Sequence, residues 1–195
     1  MAQSTTVAGD VQEKHRRTIA DYVGDMTALE SHIEEALDRQ LKEVQDDPAA
    51  LAAVQEFHDT VKRHRDTLRA LQEETGSTVG NPIKEAGSAL LGKAAGIVDM
   101  LRTEGISKSL RDDYAAFSLA AIGYSMLHTT ATALGDKKVA SLAERCLQDH
   151  ADNIMRINEI MPDVVIRELQ KDGHHADPSA AGATRQAVSR SWESR

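Results

Sequence analysis

The chain has 195 residues and a mass of 21.2 kDa, which is enough for one domain with a sizeable core. Only 3% of the residues are aromatic and helix-favouring residues dominate, so we expect an all-α protein. The formal net charge of −8 argues against general nucleic-acid binding, which needs a basic surface. The sequence shows no apolar signal segment, no run of membrane length and a single cysteine, so we expect a cytoplasmic protein without a membrane span.

The first part of the chain predicts a short arm followed by a helical hairpin. Residues 1–10 are small and polar without periodicity, so we predict a flexible N-terminal arm. Apolar stripes then predict one helix from about Val11 to Gln45 and a second from about Ala49 to Glu74. The connection ends in Pro48 and is short, which predicts that the two helices run antiparallel.

The next segment, residues 76–108, is too long for a hairpin turn and has a pattern of its own. Apolar or small residues recur at helical spacing from about Pro82 to Arg102 and predict a short amphipathic helix. We expect this helix to cross over and pack against the bundle. A contact with a partner or a lipid surface is the alternative.

The last part of the chain predicts a second hairpin and a tail. One helix is predicted from about Ser109 to Leu134, and the next reaches about Leu169, with Pro162 expected to kink or break its last turns. Residues 171–195 are small and polar without a stripe, so we predict a flexible C-terminal tail. Residues 11–170 therefore form the predicted domain, a four-helix bundle with one long crossover, which is the ferritin-like topology.

Three polar residues stand inside the apolar stripes of three different helices. Glu30 lies between apolar residues of the first stripe, His64 in the middle of the second, and His150 in the middle of the fourth. Two histidines and one carboxylate are a recognised set of metal ligands. The spacing therefore predicts that these side chains point into one helical core and could hold a metal ion there.

The first hairpin resembles the stress-induced, YciF-like branch of the ferritin-like superfamily. The resemblance rests on L-E-S-H-I-E-E-A-L from Leu29 to Leu37, on the Phe57-His58 pair and on the L-R-D that starts at Leu110. It covers roughly residues 22–160 by the order of elements. It implies a four-helix, dimeric protein, with a di-metal centre in those members that keep every ligand.

The di-iron motif of ferritin-like proteins is incomplete in this sequence. That motif places a Glu on each of two helices and Glu-x-x-His on each of the other two. Here the residues three positions before His64 and His150 are Val61 and Leu147, and we find no inward-facing acid on the third helix. Only Glu30 matches a carboxylate position directly, so we expect a reduced or degenerate metal site.

Two classes of function are compatible with this pattern. In the first, a stress-associated ferritin-like protein holds iron, or manganese or zinc, through Glu30, His64 and His150, with Asp149 or Tyr124 assisting. In the second, a structural or oligomerising protein binds no metal, and its buried histidines are simply hydrogen-bonded. In both we expect self-association into a homodimer or a larger assembly, and the sequence assigns no catalytic residue.

Some further side chains carry expectations about exposure. Cys146 is predicted to face the core as a small apolar residue rather than to act as a nucleophile. Glu34 is predicted to be solvated on the outer face of the first helix. The residues Arg63, Arg65 and Asp66 are predicted to form an exposed, charge-paired face.

Overall fold

The fold is taken from a computed structural model, which describes residues 2–75 and 105–193. That part of the chain contains helices and their connecting turns and no strand, so the predicted all-α class is confirmed. The five helices are α1 (Ala2–Glu43), α2 (Pro48–Glu74), α3 (Ile106–Leu134), α4 (Lys137–Lys171) and α5 (Ser179–Glu193). No helix in the described ranges is both long and apolar enough to cross a membrane.

Helices α1 to α4 form a bundle in which neighbouring helices run antiparallel. A short turn joins α1 to α2, and another joins α3 to α4. Helix α1 also lies against α3, and helix α4 lies against α2. Across the α2–α4 contact, Asp47 pairs with Arg167 near one end of the bundle, and Glu74 pairs with Lys138 near the other. These pairings show that α2 and α4 point in opposite directions.

The contacts of α1 with α3 give the direction of α3 in the bundle. Helix α1 is antiparallel to α2 and also to α3, since Glu30 contacts Tyr124 while Gln40, further along α1, contacts Asp113, earlier in α3. Helices α2 and α3 are thus parallel to each other. Two antiparallel helical hairpins in which the second and third helices are parallel match the ferritin-like arrangement. The crossover helix predicted at 82–102 lies outside the described residues.

The helix boundaries follow from local chemistry. Asp47 caps the start of α2, because its side chain accepts hydrogen bonds from the backbone N–H groups of Ala49 and Ala50 at 3.2 and 3.1 Å. Gly135 ends α3 with a φ of +81°, a left-handed conformation that suits glycine. Asp136 then caps α4 by accepting from the N–H of Val139 at 3.0 Å. The two tight turns predicted around these residues are the ones observed.

Both chain ends are more helical than their composition predicts. Helix α1 already includes residues 2–10, and residues 179–193 form α5, where an irregular tail was expected. Ala181 is buried and Arg185 pairs with Asp163 of α4 at 2.5 Å, so packing on α4 stabilises a segment that lacks a stripe of large apolar residues. Helix α4 also continues past Pro162 to its end instead of breaking there. The division into arm, bundle and tail stays a prediction.

The core of the bundle is apolar over most of its length and closely packed between α1 and α3. A side chain at Gly123 would place its Cβ 2.6 Å from Sδ of Met26, so the absence of one lets the two helices approach. Phe57 and Phe117 pack edge to face with ring centroids 5.2 Å apart. This close approach helps to set the axial position of α1, and with it the position of Glu30, relative to the other helices.

Candidate metal centre

The three polar residues predicted to face inward lie together in the middle of the bundle. Glu30 of α1 and His150 of α4 are fully buried, and His64 of α2 is only 3% exposed. One possible ligand atom from each lies within 4.8 Å of the other two. The structure therefore brings side chains from three helices into one group, and its first and last members, Glu30 and His150, are 120 residues apart in sequence.

A single oxygen of Glu30 is the centre of the hydrogen bonding in this group. Its Oε1 atom accepts from Tyr124 OH at 2.6 Å, and it lies 2.8 Å from His150 Nε2 and 3.1 Å from His64 Nδ1. Tyr124 belongs to α3, so every helix of the bundle contributes one side chain. The Tyr124 and His150 rings stack with centroids 5.6 Å apart. The tyrosine supplies the polar group of α3 that the sequence suggested.

The charges of the group follow from burial and mutual contact. Burial raises the pKa of Glu30, but the contacts with His150 and His64 outweigh this effect and lower the pKa from 4.5 to about 2. Burial lowers the pKa of His64, whereas Cys146 and Glu30 raise it to about 10. The pKa of Tyr124 is raised well above its ordinary value, mainly by burial and secondly by the charge of Glu30. Without a metal, the centre therefore holds a carboxylate and an imidazolium, with a neutral tyrosine donating to Glu30.

Asp149 lies on the far side of His64 and not inside the group of three. Its Oδ2 atom is 2.9 Å from His64 Nε2 and 3.0 Å from the guanidinium of Arg63, and its side chain is 37% exposed. Both ring nitrogens of His64 thus face carboxylate oxygens, which agrees with a protonated ring. A carboxylate on the outer nitrogen of a histidine fixes the orientation of the ring. This is the position of a residue that orients a ligand.

Two buried atoms of the group have no hydrogen-bond partner among the described residues. They are Oε2 of Glu30 and Nδ1 of His150, both on fully buried side chains. Buried polar atoms are nearly always paired, because an unpaired one costs about 1–3 kcal/mol. Two side chains with a free ligand atom, next to His64 as a third possible ligand, fit the residues expected around a metal ion.

One acid on the third helix faces inward although none was expected there from the sequence. Asp113 of α3 is 5% exposed and lies beside Gln40 of α1. It follows Leu110 by three residues and precedes Phe117 by four, so the helical stripe itself carried the signal. Gln40 is ten residues beyond Glu30 on α1, about 15 Å along the helix axis, so Asp113 does not reach the group of three.

Two expectations about exposure need correction and one is confirmed. Glu34 is 7% exposed instead of solvated, because Arg65 of α2 reaches across and forms an ion pair with it. Arg65 pairs with Asp66 as predicted, but its side chain is only 17% exposed and is not part of an open face. Cys146 is 2% exposed in the core, as the sequence predicted.

Comparison with known proteins places the chain in a family. A crystal structure of a protein from Xanthomonas campestris pv. campestris matches 82% of this chain and 99% of its own, with a TM-score of 0.67 and 15% identity, which indicates a shared fold. No curated protein matches the sequence. The model of a ferritin-like family described as "Domain of unknown function (DUF892)" matches residues 16–170. The chain therefore belongs to the DUF892 family.

Proposed function

We propose that this DUF892 protein holds one divalent metal ion at the centre of its ferritin-like bundle. The observation that carries the proposal is the buried group of Glu30, His64 and His150, with possible ligand atoms within 4.8 Å of one another. It is supported by the buried atoms Glu30 Oε2 and His150 Nδ1, which have no hydrogen-bond partner among the described residues, so that each side chain keeps one ligand atom free. The donor set is the two-histidine, one-carboxylate combination known from metal proteins.

The residues around these ligands have separate tasks in the proposed site. Asp149 accepts from His64 and orients its ring, and Tyr124 donates to Glu30 and holds the carboxylate in place. His64 releases the proton from whichever nitrogen becomes the ligand, because an imidazolium has no free electron pair there. Two metal ions would need several carboxylates, and the group contains one, so the site takes a single ion.

Iron is the first candidate for the ion, with manganese and zinc as alternatives. A bound iron ion would supply redox chemistry. The resemblance to the stress-induced branch of the superfamily supports a role in the stress response for this protein. The cytoplasmic location expected from the sequence also stays a prediction.

Metal analysis tests the proposal directly. Full-length protein without a His-tag, analysed by plasma mass spectrometry, should contain about one iron, manganese or zinc ion per chain, because the donor set is that of a mononuclear site. The double variant His64→Ala/His150→Ala should lose that ion. His58→Ala, on the same helix but outside the group, should keep it.

The tail histidines need a separate control. His174 and His175 are adjacent and exposed, so they could bind a stray ion. A variant with both replaced by Ala should keep the full metal content. Wild-type protein that binds no ion even after incubation with each of the three metals would refute the proposal.

A metal-free structural role is the second candidate function. It is favoured by one observation, that Glu30 Oε1 already has three hydrogen-bond contacts without any ion. A buried polar network of this kind can fix the register of the helices at some cost in stability. Protein that contains no metal but unfolds more easily when Glu30 is replaced would support this role.

Self-association is proposed for either function. Ile122 and Met126 are 58% and 49% exposed and lie one turn apart on the outer face of α3, where a second copy could cover them. We expect Ile122→Glu/Met126→Glu to shift the sedimentation coefficient from that of a dimer to that of a monomer. Val11→Glu, which changes an exposed apolar residue on α1, should leave it unchanged. A wild-type protein that sediments as a monomer contradicts the expectation.

A further inference from the structure

The hydroxyl group of Tyr124 lies among the atoms of the proposed ligands. It is 2.6 Å from Glu30 Oε1, and the same carboxylate oxygen lies 2.8 Å from His150 Nε2 and 3.1 Å from His64 Nδ1. Tyr124 is fully buried, like Glu30 and His150. Its oxygen is therefore the closest of the three polar atoms around Glu30 Oε1. It also comes from α3, the bundle helix that supplies none of the three proposed ligands.

The rings of the two histidines hold this hydroxyl in place. The Tyr124 ring stacks on the His150 ring with an interplanar angle of 26° and centroids 5.6 Å apart. The His64 ring meets the Tyr124 ring edge to face, with centroids 5.9 Å apart. A buried ring that packs against both histidines cannot turn away without opening the core. The packing therefore keeps the phenol oxygen beside the carboxylate and imidazole atoms.

The charge of the proposed site supplies a reason for a second anionic ligand. A divalent cation bound by Glu30 and two neutral histidines would leave one positive charge uncompensated in the core. Uncompensated charge in a protein interior is strongly disfavoured. Asp149 faces the outer nitrogen of His64, and Asp113 lies about 15 Å away along the bundle. The phenol of Tyr124, in direct contact with Glu30, can supply the second negative charge by losing its proton.

A bound ion can remove that proton, although the phenol is neutral in the metal-free protein. Burial and the charge of Glu30 raise the pKa of Tyr124, because both disfavour a second anion at this place. A cation reverses this balance when it binds the oxygen directly. Zinc, for example, lowers the pKa of its bound water from about 15.7 to about 7, and a phenol in water starts lower, at about 10.

The resulting donor set favours iron among the candidate ions. It consists of two imidazole nitrogens, one carboxylate and one phenolate oxygen. Imidazole is a common ligand of iron, and a tyrosine oxygen binds haem iron in some proteins. Two anionic oxygens attract a trivalent ion more strongly than a divalent one, since the Coulomb energy grows with the charge of the cation. Such a set therefore stabilises the ferric state.

We propose that Tyr124 is the fourth ligand of the metal site, through its phenolate oxygen, and that the site takes iron and holds it both as Fe²⁺ and as Fe³⁺. This assignment rests on the proposed function and selects one of its three candidate ions. On binding, the O–H bond of Tyr124 breaks, an oxygen–metal bond forms and the proton passes to solvent. Glu30 and Tyr124 together then neutralise the two charges of Fe²⁺. When Fe²⁺ becomes Fe³⁺, one electron passes to dioxygen, which becomes superoxide.

A visible absorption band tests the proposal, because charge transfer from phenolate to Fe³⁺ absorbs visible light, whereas carboxylate and imidazole ligands give no such band. Metal-free full-length protein, loaded with one equivalent of Fe²⁺, freed of unbound iron and exposed to air, should develop this band. Resonance Raman spectra excited in the band should show phenolate ring vibrations. Dithionite should bleach the band as it returns the ion to Fe²⁺.

Two matched variants identify the tyrosine. Tyr124→Phe keeps the stacked ring and removes only the oxygen, so it should lose the band. Its affinity for Fe²⁺, measured without oxygen against a competing chelator, should fall at least about tenfold. Tyr114→Phe makes the same change ten residues earlier on α3, outside the group, and should keep both the band and the affinity.

A second measurement applies if Tyr124→Phe does not fold, with circular dichroism to check the helices. The chain has three tyrosines, so the variant Tyr22→Phe/Tyr114→Phe keeps Tyr124 as its one tyrosine. In this variant, 3-fluorotyrosine can replace Tyr124 with almost no change of shape. Fluorine lowers the energy of the phenolate electrons, so the band should move to shorter wavelength.

The outcomes distinguish this inference from the proposed function. Iron that binds and gives the electron paramagnetic resonance signal of Fe³⁺ without a visible band would overturn the role of Tyr124 and leave the Glu30, His64 and His150 site standing. So would a band that persists in folded Tyr124→Phe or does not move with fluorine. Bound iron that stays Fe²⁺ in air, or binding of manganese or zinc but not iron, would also overturn the inference alone. No binding of any of the three ions by the wild-type protein would overturn both.

Discussion

Replacing Glu30 by Ala should lower the free energy of unfolding by about 3–5 kcal/mol at pH 7 in the metal-free protein. The change removes the carboxylate that accepts from Tyr124 and faces His64 and His150, all in the buried core. The imidazolium of His64 would keep only the partly exposed Asp149 as its counter-ion. Urea denaturation followed by circular dichroism in the presence of a chelator measures the loss.

The pH dependence of this effect follows from the lowered pKa of Glu30. That pKa falls from 4.5 to about 2 in the folded protein, so the stabilisation is present above pH 4.5 and is lost as the pH falls through 2. The difference between wild type and variant should therefore shrink between pH 4.5 and pH 2. Glu35→Ala, at an exposed position of the same helix, should change stability by less than about 0.5 kcal/mol. A loss below about 1 kcal/mol for Glu30→Ala would contradict the charged network.

Asp113→Asn should have the opposite effect and stabilise the protein by roughly 2–4 kcal/mol at pH 8. Burial raises the pKa of Asp113 from 3.8 to about 7, with a smaller contribution from Asp112, while Gln40 lowers it by less. The wild type therefore has its full stability below pH 3.8 and loses part of it as the pH rises to about 7. Asparagine keeps the shape of the side chain and cannot ionise.

The test for Asp113 is a comparison at two pH values. Urea midpoints and free energies of unfolding should nearly coincide for wild type and Asp113→Asn at pH 4 and should separate by pH 8. Asp46→Asn, which changes an exposed acid in the α1–α2 turn, should follow the wild type at both. A variant that is less stable than wild type at pH 8 would show that the ionised carboxylate of Asp113 has a stabilising partner.

The helical spacing of apolar residues in the sequence predicted most of the bundle helices and all three candidate ligands. Residues three and four apart share a face, so the stripe through Phe57, Val61 and Leu68 predicted that His64 points inward, and it is buried. The same argument holds for Glu30 and His150. Asp113 was missed although it obeys the same spacing, because its stripe on α3 is interrupted by small residues and has few large apolar ones.

Segments that depend on docking were not predictable in the same way. Residues 179–193 have no stripe of large apolar side chains, and their helix depends on Ala181 and Arg185 meeting α4. Glu34 was expected in solvent because it was assigned to the outer face of its helix, but Arg65 of α2 pairs with it and it is buried. In both cases the partner lies on another element of the chain.

The sequence by itself determined that the chain is all-α and that Glu30, His64 and His150 face the interior, because both properties arise within single helices from propensity and from a period of 3.6 residues. Only the tertiary structure decided the axial level of each helix relative to the others. That level places Glu30 between the two histidines and Tyr124, and it puts Asp149 on the outer nitrogen of His64. The axial level of each helix depends on side-chain packing between distant parts of the chain, such as Met26 against Gly123. A local sequence pattern therefore does not predict it.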